Sequence, residues 1–327
     1  MGARHAGIVG FKRTASATEV ATPGFLLQCQ DGNIEYEPIV AERDSVLSRD
    51  PAGSTGYGFK GTYQFSGVEL PIEHLGRFLW MFLGGDVFVG GTHTITPADR
   101  PQYSCISFDR GFDLGSSTPT QVAVGAMIEN LSIDVPMKGH AKASISGKFC
   151  SLAAEAAALT KTIPTGPNEA PISAKALKSA AGGYVKIGFN GSAPSADGEL
   201  RGLKIELSQE IDDEGGVNFD SDQPSELLVG SRSVSWEVMK QLRGNAAAPY
   251  AAAKLQQAVG LDVLFTVGTN SARLLFPKAS IRGSYLQGLD KSAASFEAKI
   301  AAKTDRDDAQ SAVLTATIDD ATSAAYT

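Results

Sequence analysis

The chain has 327 residues, room for two cores of ordinary size, and a formal net charge of −7 with no Lys/Arg-dense block, which excludes a protein that grips nucleic acid by neutralising phosphates. Its three cysteines, Cys29, Cys105 and Cys150, are odd in number and never in C-x-x-C spacing, so no disulfide scaffold is implied. Abundant glycine, 35 residues, and modest charge, 20%, accompany many short alternating segments and favour a mainly β fold.

In chain order, "FLLQCQ" from Phe25 reads as a short strand closed by the turn "DGN", and an extended pattern resumes at Ile34 with "IEYEP". "GYGFKGTYQFSG" then sets Phe59, Tyr63 and Phe65 on one side of a strand. Pro71 opens a helix whose Leu75, Phe78, Leu79 and Phe82 fall at i, i+3, i+4 and i+7, and Gly84-Gly85 ends it. This helix is apolar almost all round from Phe78 to Leu83, so it needs cover on more than one side. "DVFV" from Asp86 resumes an extended run, and "NLSIDV" and "AKASISGKF", joined by "PMKGH", close the unit.

The same order then returns. "YVKIGF" ends in "NGS", "LKIEL" alternates as "IEYEP" does, and "SVSWEV" puts Val234, Trp236 and Val238 on one face. Pro249 opens a second candidate helix, "PYAAAKLQQAV", which Gly260 closes, and "DVLFTV" from Asp262 takes the place of "DVFV". "KASIRGSY" and "AASFEAKI" finish the unit, the last echoing "AKASISGKF" with Lys299 in the slot of Lys148. An internal duplication follows: a first module over 1–152, a linker or exposed excursion rich in Ala, Pro and Ser over 153–182, a second module over 183–304, and a C-terminal segment over 305–327 that offers "AVLTATI" as one more strand. So little helix cannot cover a sheet on both faces, so each unit is expected to be a small β-sandwich or partly open barrel with one flanking helix.

Stretches that look chemical do not hold together. Gly56, Gly58 and Gly61 match G-x-G-x-x-G, but the match runs into a strand instead of opening a helix that could face a pyrophosphate. None of His5, His74, His93 and His140 stands at i, i+4 from another, and His74 is expected to make a solvated pair with Glu73. The acidic clusters at Asp212, Asp213 and Glu214, at Asp220 and Asp222, and at Asp305, Asp307 and Asp308 lack the spacing of a calcium loop. No G-x-S-x-G elbow occurs. The expectation is a non-enzyme with no catalytic, cofactor-binding or metal residue. "MGARHAGIVGFKR" has no apolar core and "FLWMFLGG" is too short for a membrane span, so synthesis in a host-like reducing cytoplasm and no membrane partner are expected.

The texture of "IVAERDSVLSRDPAGSTGYGFKGTYQFSGVELPIEHLGRFLWMFLGG", of "FDRGF" with "VGAMIENLSIDVPMKGHAKASISGKF", and of "LKIELSQEIDDEGG", "LVGSRSVSWEV" and "LLFPKASIRGSY" resembles the tail tube proteins of long-tailed bacteriophages, also called major tail proteins. The likeness runs from about Phe25 to Lys303 and rests on order, not on a rigid motif. It implies two tandem tail-tube-like β-sandwich modules, each with one flanking helix, in a structural virion protein. Chains of this double-module type would build stacked rings, three chains or six to a ring. Their bore would pass viral DNA non-specifically, and a tape measure protein and tail-end proteins would be partners in the virion tail. A net acidic chain suits such a conduit, because a basic wall would hold DNA. The alternative is a tandem β-sandwich binding or adhesion module of a virion fibre; it would need exposed aromatics, whereas Trp80 and Trp236 fall in segments read as core.

Overall fold

The computed structural model describes residues 7–21, 24–42, 54–98, 102–109, 120–136, 138–153, 170–177, 182–189, 195–196, 199–212, 226–242, 258–282, 296–304, 313–320 and 326. It is mainly β. The first half carries β1 (Gly7–Arg13), β2 (Phe25–Cys29), β3 (Asp31–Glu42), β4 (Ser54–Glu69), α1 (Ile72–Leu83), β5 (Gly84–Val89), β6 (Thr92–Pro97), β7 (Ser104–Asp109), β8 (Gln121–Pro136), β9 (Lys142–Phe149) and β10 (Ser151–Leu152). The second carries β11 (Tyr184–Phe189), β12 (Ser195–Ala196), β13 (Glu199–Asp212), β14 (Leu228–Leu242), β15 (Ala258–Val267), β16 (Asn270–Arg282), β17 (Phe296–Thr304) and β18 (Thr315–Asp319). All pairings are antiparallel.

In the first half, β2, β1, β7, the start of β8 and β10 form one layer, and β3, β4, β9 and the rest of β8 form the other. Alternation gives each layer an apolar inner face, and the faces meet through aromatic rings. Phe65 of β4 lies 6.1 Å from Phe11 of β1 and 5.1 Å from Phe108 of β7. α1 closes one side, with Phe78 edge-on to Phe11 at 5.1 Å. Its signals are local and hold in the structure: Pro71 precedes it with φ −65, and Gly84 ends it at φ 98, where its N–H donates to the Trp80 carbonyl. Ten of its residues are buried, because it packs on β6 and β8 of its own half and on β16 and β18 of the other.

Apart from the β5–β6 hairpin, the strand pairings described in one half recur in the other. Across one layer the register runs Ile34, Tyr63, Gly147, Ile128 in the first half and Ile205, Trp236, Ala302, Ile281 in the second. Across the other it runs Phe11, Ile106, Ala123 and Ile187, Leu261, Phe276. Even the irregularity repeats: the register shifts between Ser104 and Ile106, and again between Val259 and Leu261.

This matching corrects several expectations. "YVKIGF" is β11, which takes the place of β1, not of "FLLQC". "DVLFTV" lies in β15, the counterpart of β7; "DVFV" lies in β5, part of a hairpin with no counterpart among the described residues. Gly260 lies inside β15 and closes no helix, and the rest of the second candidate helix lies outside the described residues. Nor is the described end of 153–182 exposed: Ile172 is 1% exposed, its N–H donates to the Leu70 carbonyl, and its own carbonyl accepts from Ala141. Tertiary pairing decided these points, and alternation alone names a face but not a partner strand.

Candidate functional site

The outstanding surface is a sheet that runs without a break through both halves in the order β3, β4, β9, β8, β13, β14, β17, β16. One face supplies core, including Ile34, Phe65, Ile133, Ile205, Trp236 and Ile300. The other is polar, and the register sorts it into rows. Glu69, Lys142, Asp134, Lys204 and Glu237 stand opposite one another across five strands, alternating in sign at every step. The Lys204 ammonium is held above its ordinary pKa first by its hydrogen bond to Glu206, with Glu237 and Asp134 adding to the effect. A second row, Asn33, Gln64, Ser146, Asn130, Ser208 and Ser233, is uncharged throughout.

The halves join in this sheet where Asn130–Ser208 to Pro136–Gly202 pair between β8 and β13. On the core side of that joint Leu131, Ile133 and Val135 oppose Leu207, Ile205 and Leu203, all at most 2% exposed. On its flank the Lys148 ammonium donates to the Ile211 carbonyl at 2.8 Å. β3, the counterpart of β13, pairs with β4 alone, and no other described strand covers its second edge. At the far end, Ile281 and Arg282 of β16 pair with β17 alone among the described residues. Among the described residues the sheet therefore ends at each side on a strand paired along one edge only, and such an edge is a site for pairing with another strand.

The residues singled out by the sequence lie apart from one another. Gly56, Gly58 and Gly61 are inside β4, and a Cβ at Gly61 would sit 2.7 Å from the Phe149 ring, so close packing accounts for that glycine. His5 lies outside the described residues, as do Asp213, Glu214, Asp220, Asp222, Asp305, Asp307 and Asp308. His140 faces Ser173 in an isolated bridge. His74 is no solvated partner of Glu73: it is 6% exposed and stacked 5.1 Å from Phe25, while Glu73 pairs with Arg77 at 2.9 Å. Burial first, and Arg77 second, lowers its pKa to about 4. Trp80 and Trp236 are buried, as the sequence indicates.

One constellation was not anticipated. His93 of β6 is fully buried between Asp86, whose carboxylate lies 3.0 Å from Nδ1, and Asp320, 3.8 Å from Nε2. The Tyr326 ring stacks on His93 at 3.8 Å, its hydroxyl donates to Asp320 at 2.6 Å, and its N–H donates to Asp86 at 3.2 Å. Burial, then the Asp320 hydrogen bond, pushes the Tyr326 hydroxyl pKa well up. Its residue types suit acid–base chemistry, but a His93 sealed from solvent cannot meet a substrate; what it does is fasten the C-terminal residues to the β5–β6 hairpin. Residues more than 200 positions apart in sequence leave no local signal of such a cluster.

All three cysteines are free and buried. Among the described residues no three His, Cys, Asp or Glu side chains group so as to hold a metal ion, and no helix is long and apolar enough to cross a membrane. No protein-family model matches the chain, and no curated protein matches it.

Proposed function

We propose that the chain is a structural protein of the phage tail tube type, two sister β-sandwich modules fused in tandem, which closes into rings that stack around a bore for DNA. The observation that carries the reading is the continuous sheet: four strands from each half join through β8 and β13, and no described strand pairs with the counterpart edge on β3. A chain that already joins its two modules edge to edge needs only to repeat that joint with copies of itself to remove both open edges by closure. The matched register and the repeated bulge support descent of the two modules from one. With two modules per chain, a six-module ring takes three chains. The polar face, carrying small side chains and charges of both signs, suits a wall along which a polyanion slides without being held.

Negative-stain images of the purified protein should show rings or tubes with a central hole, and native mass spectrometry of a single ring should return three chains. Strictly monomeric two-lobed particles at high concentration would sink the reading. Six chains per ring would mean that only one half lines the bore.

A further inference from the structure

A second sheet runs β5, β6, β18, β16, β15, β11 and turns its inner face into the core through Ile95, Ile318, Leu274 and Val263. We infer that its outer face, around Arg273, Lys186 and Tyr184, binds an acidic saccharide, with the two cations on a carboxylate and threonine hydroxyls along the sugar hydroxyls. Asp262 fixes this corner: its carboxylate, 7% exposed, accepts from Arg273 Nε at 2.9 Å and Nη2 at 2.8 Å, and from the Tyr184 hydroxyl at 3.3 Å. The Lys186 ammonium lies over the Tyr184 ring, 3.9 Å from its centre. The two cationic heads thus stand one phenol ring apart. The Arg273 side chain is 48% exposed, so the donors that Asp262 does not take are open to solvent. One carboxylate against two cations leaves the corner net positive on a chain of net charge −7. Asp319, the next carboxylate of this face, stands opposite Ser271, a row further along.

Strand pairing does not require these charges. In the sister half the same register positions hold Ile8 for Tyr184, Gly10 for Lys186 and Ser107 for Asp262, and β1 and β7 pair through them all the same. What adjoins the corner decides the ligand class. Arg273 stands opposite Thr317 and Thr317 opposite Thr94, while Thr92 and Thr96 flank Thr94 on the same face, as Thr315 flanks Thr317. Hydroxyls that both donate and accept suit a hydroxyl-rich ligand lying across these strands. An extended acidic peptide would instead need an unpaired strand edge for its main-chain bonds, and β16, β18 and β6 are each paired on both sides here. Two cations are also too few to grip a duplex, which calls for a basic stripe. The site is independent of ring closure: on the tube reading it lies on the face turned away from the bore.

Isothermal titration of the full chain tests this with two carboxylated saccharides, oligogalacturonate and oligosialic acid, against uncharged dextran and poly-glutamate. At least one carboxylated saccharide should bind, more weakly as salt rises, while dextran and poly-glutamate should not. Lys186→Gln removes one cation without touching the buried Asp262 and should weaken binding about tenfold. Arg273→Gln should weaken it at least as much; because this change leaves Asp262 short of donors, circular dichroism and melting of the variant separate a lost site from a lost fold. Lys138→Gln, at an exposed lysine between β8 and β9, should leave binding unchanged. Failure of both carboxylated saccharides to bind, binding that survives Lys186→Gln, or equal binding of poly-glutamate overturns the assignment, and each of these results leaves the tube reading as it was.

Discussion

Tyr63 and Trp236 hold the same register position in the two halves, each with an isoleucine on one side and a small residue, Gly147 or Ala302, on the other. Each also buries a donor, Oη or Nε1, with no acceptor. An unsatisfied buried donor costs about 1–3 kcal/mol, so Tyr63→Phe should leave stability unchanged or raise it by about 1 kcal/mol in chemical denaturation. A loss of that size would instead reveal a hidden acceptor. The aromatic position was legible in "TYQF" and "SVSWEV", because period-two alternation exposes which side chains share a face. His74 was not legible. Its buried surroundings come from β2, remote in sequence, while its neighbour Glu73 suggested solvent. Because burial lowers its pKa from 6.5 to about 4, the folded protein binds fewer protons than the unfolded chain between those values. The stability this implies is fully present above the unfolded pKa and is lost as pH falls through the folded one, by about 3 kcal/mol in all. His74→Phe, which preserves the stack on Phe25, should therefore lose less stability than wild type between pH 7 and pH 4, and parallel curves would show that His74 does not titrate in this way.

At the level of elements, α1 could be bounded from sequence to the residue because proline and glycine act locally, whereas β5 and β18 could be read as extended but not placed, and the polar composition of β6 reads as loop. β18 slots between β16 of its own half and β6 of the other, pairing Ala316 with Ile95 and Asp319 with Thr92. It is a second seam between the halves, on the side away from the polar sheet, and the His93 cluster locks it. Tyr326→Phe removes the hydroxyl that Asp320 accepts from and leaves a buried carboxylate short of a donor, which should cost about 2 kcal/mol. Hydrogen exchange tells whether the cost is local: faster exchange confined to β5, β6 and β18 is expected, and uniform acceleration across β13 and β14 would mean that the seam does not act as a separate clamp.

At the scale of the whole molecule, the acidic net charge suggested an acidic wall, yet the polar face of the continuous sheet shows rows of alternating sign and one row without charge. The sequence could not show this, because the row Glu69, Lys142, Asp134, Lys204, Glu237 draws on five strands and exists only once they are in register. A repeated order of segments, by contrast, was readable, although the pairing reassigns which segments match. Glu35 and Glu206 are such a matched pair, each following its isoleucine and each exposed on the polar face. In the proposed ring of three chains they would form one circle of six carboxylates around the bore. Replacing both with lysine would put six cations on that circle, and on the tube reading should yield a wall that retains DNA. Tubes of the Glu35→Lys, Glu206→Lys protein are expected to carry duplex DNA down in sedimentation at low salt and to shed it as salt rises, with a log–log slope of about −0.9 per phosphate engaged, while wild-type tubes sediment without it. Variant tubes that form normally and still ignore DNA would place the polar face on the outside of the assembly and turn the sandwich around within the ring.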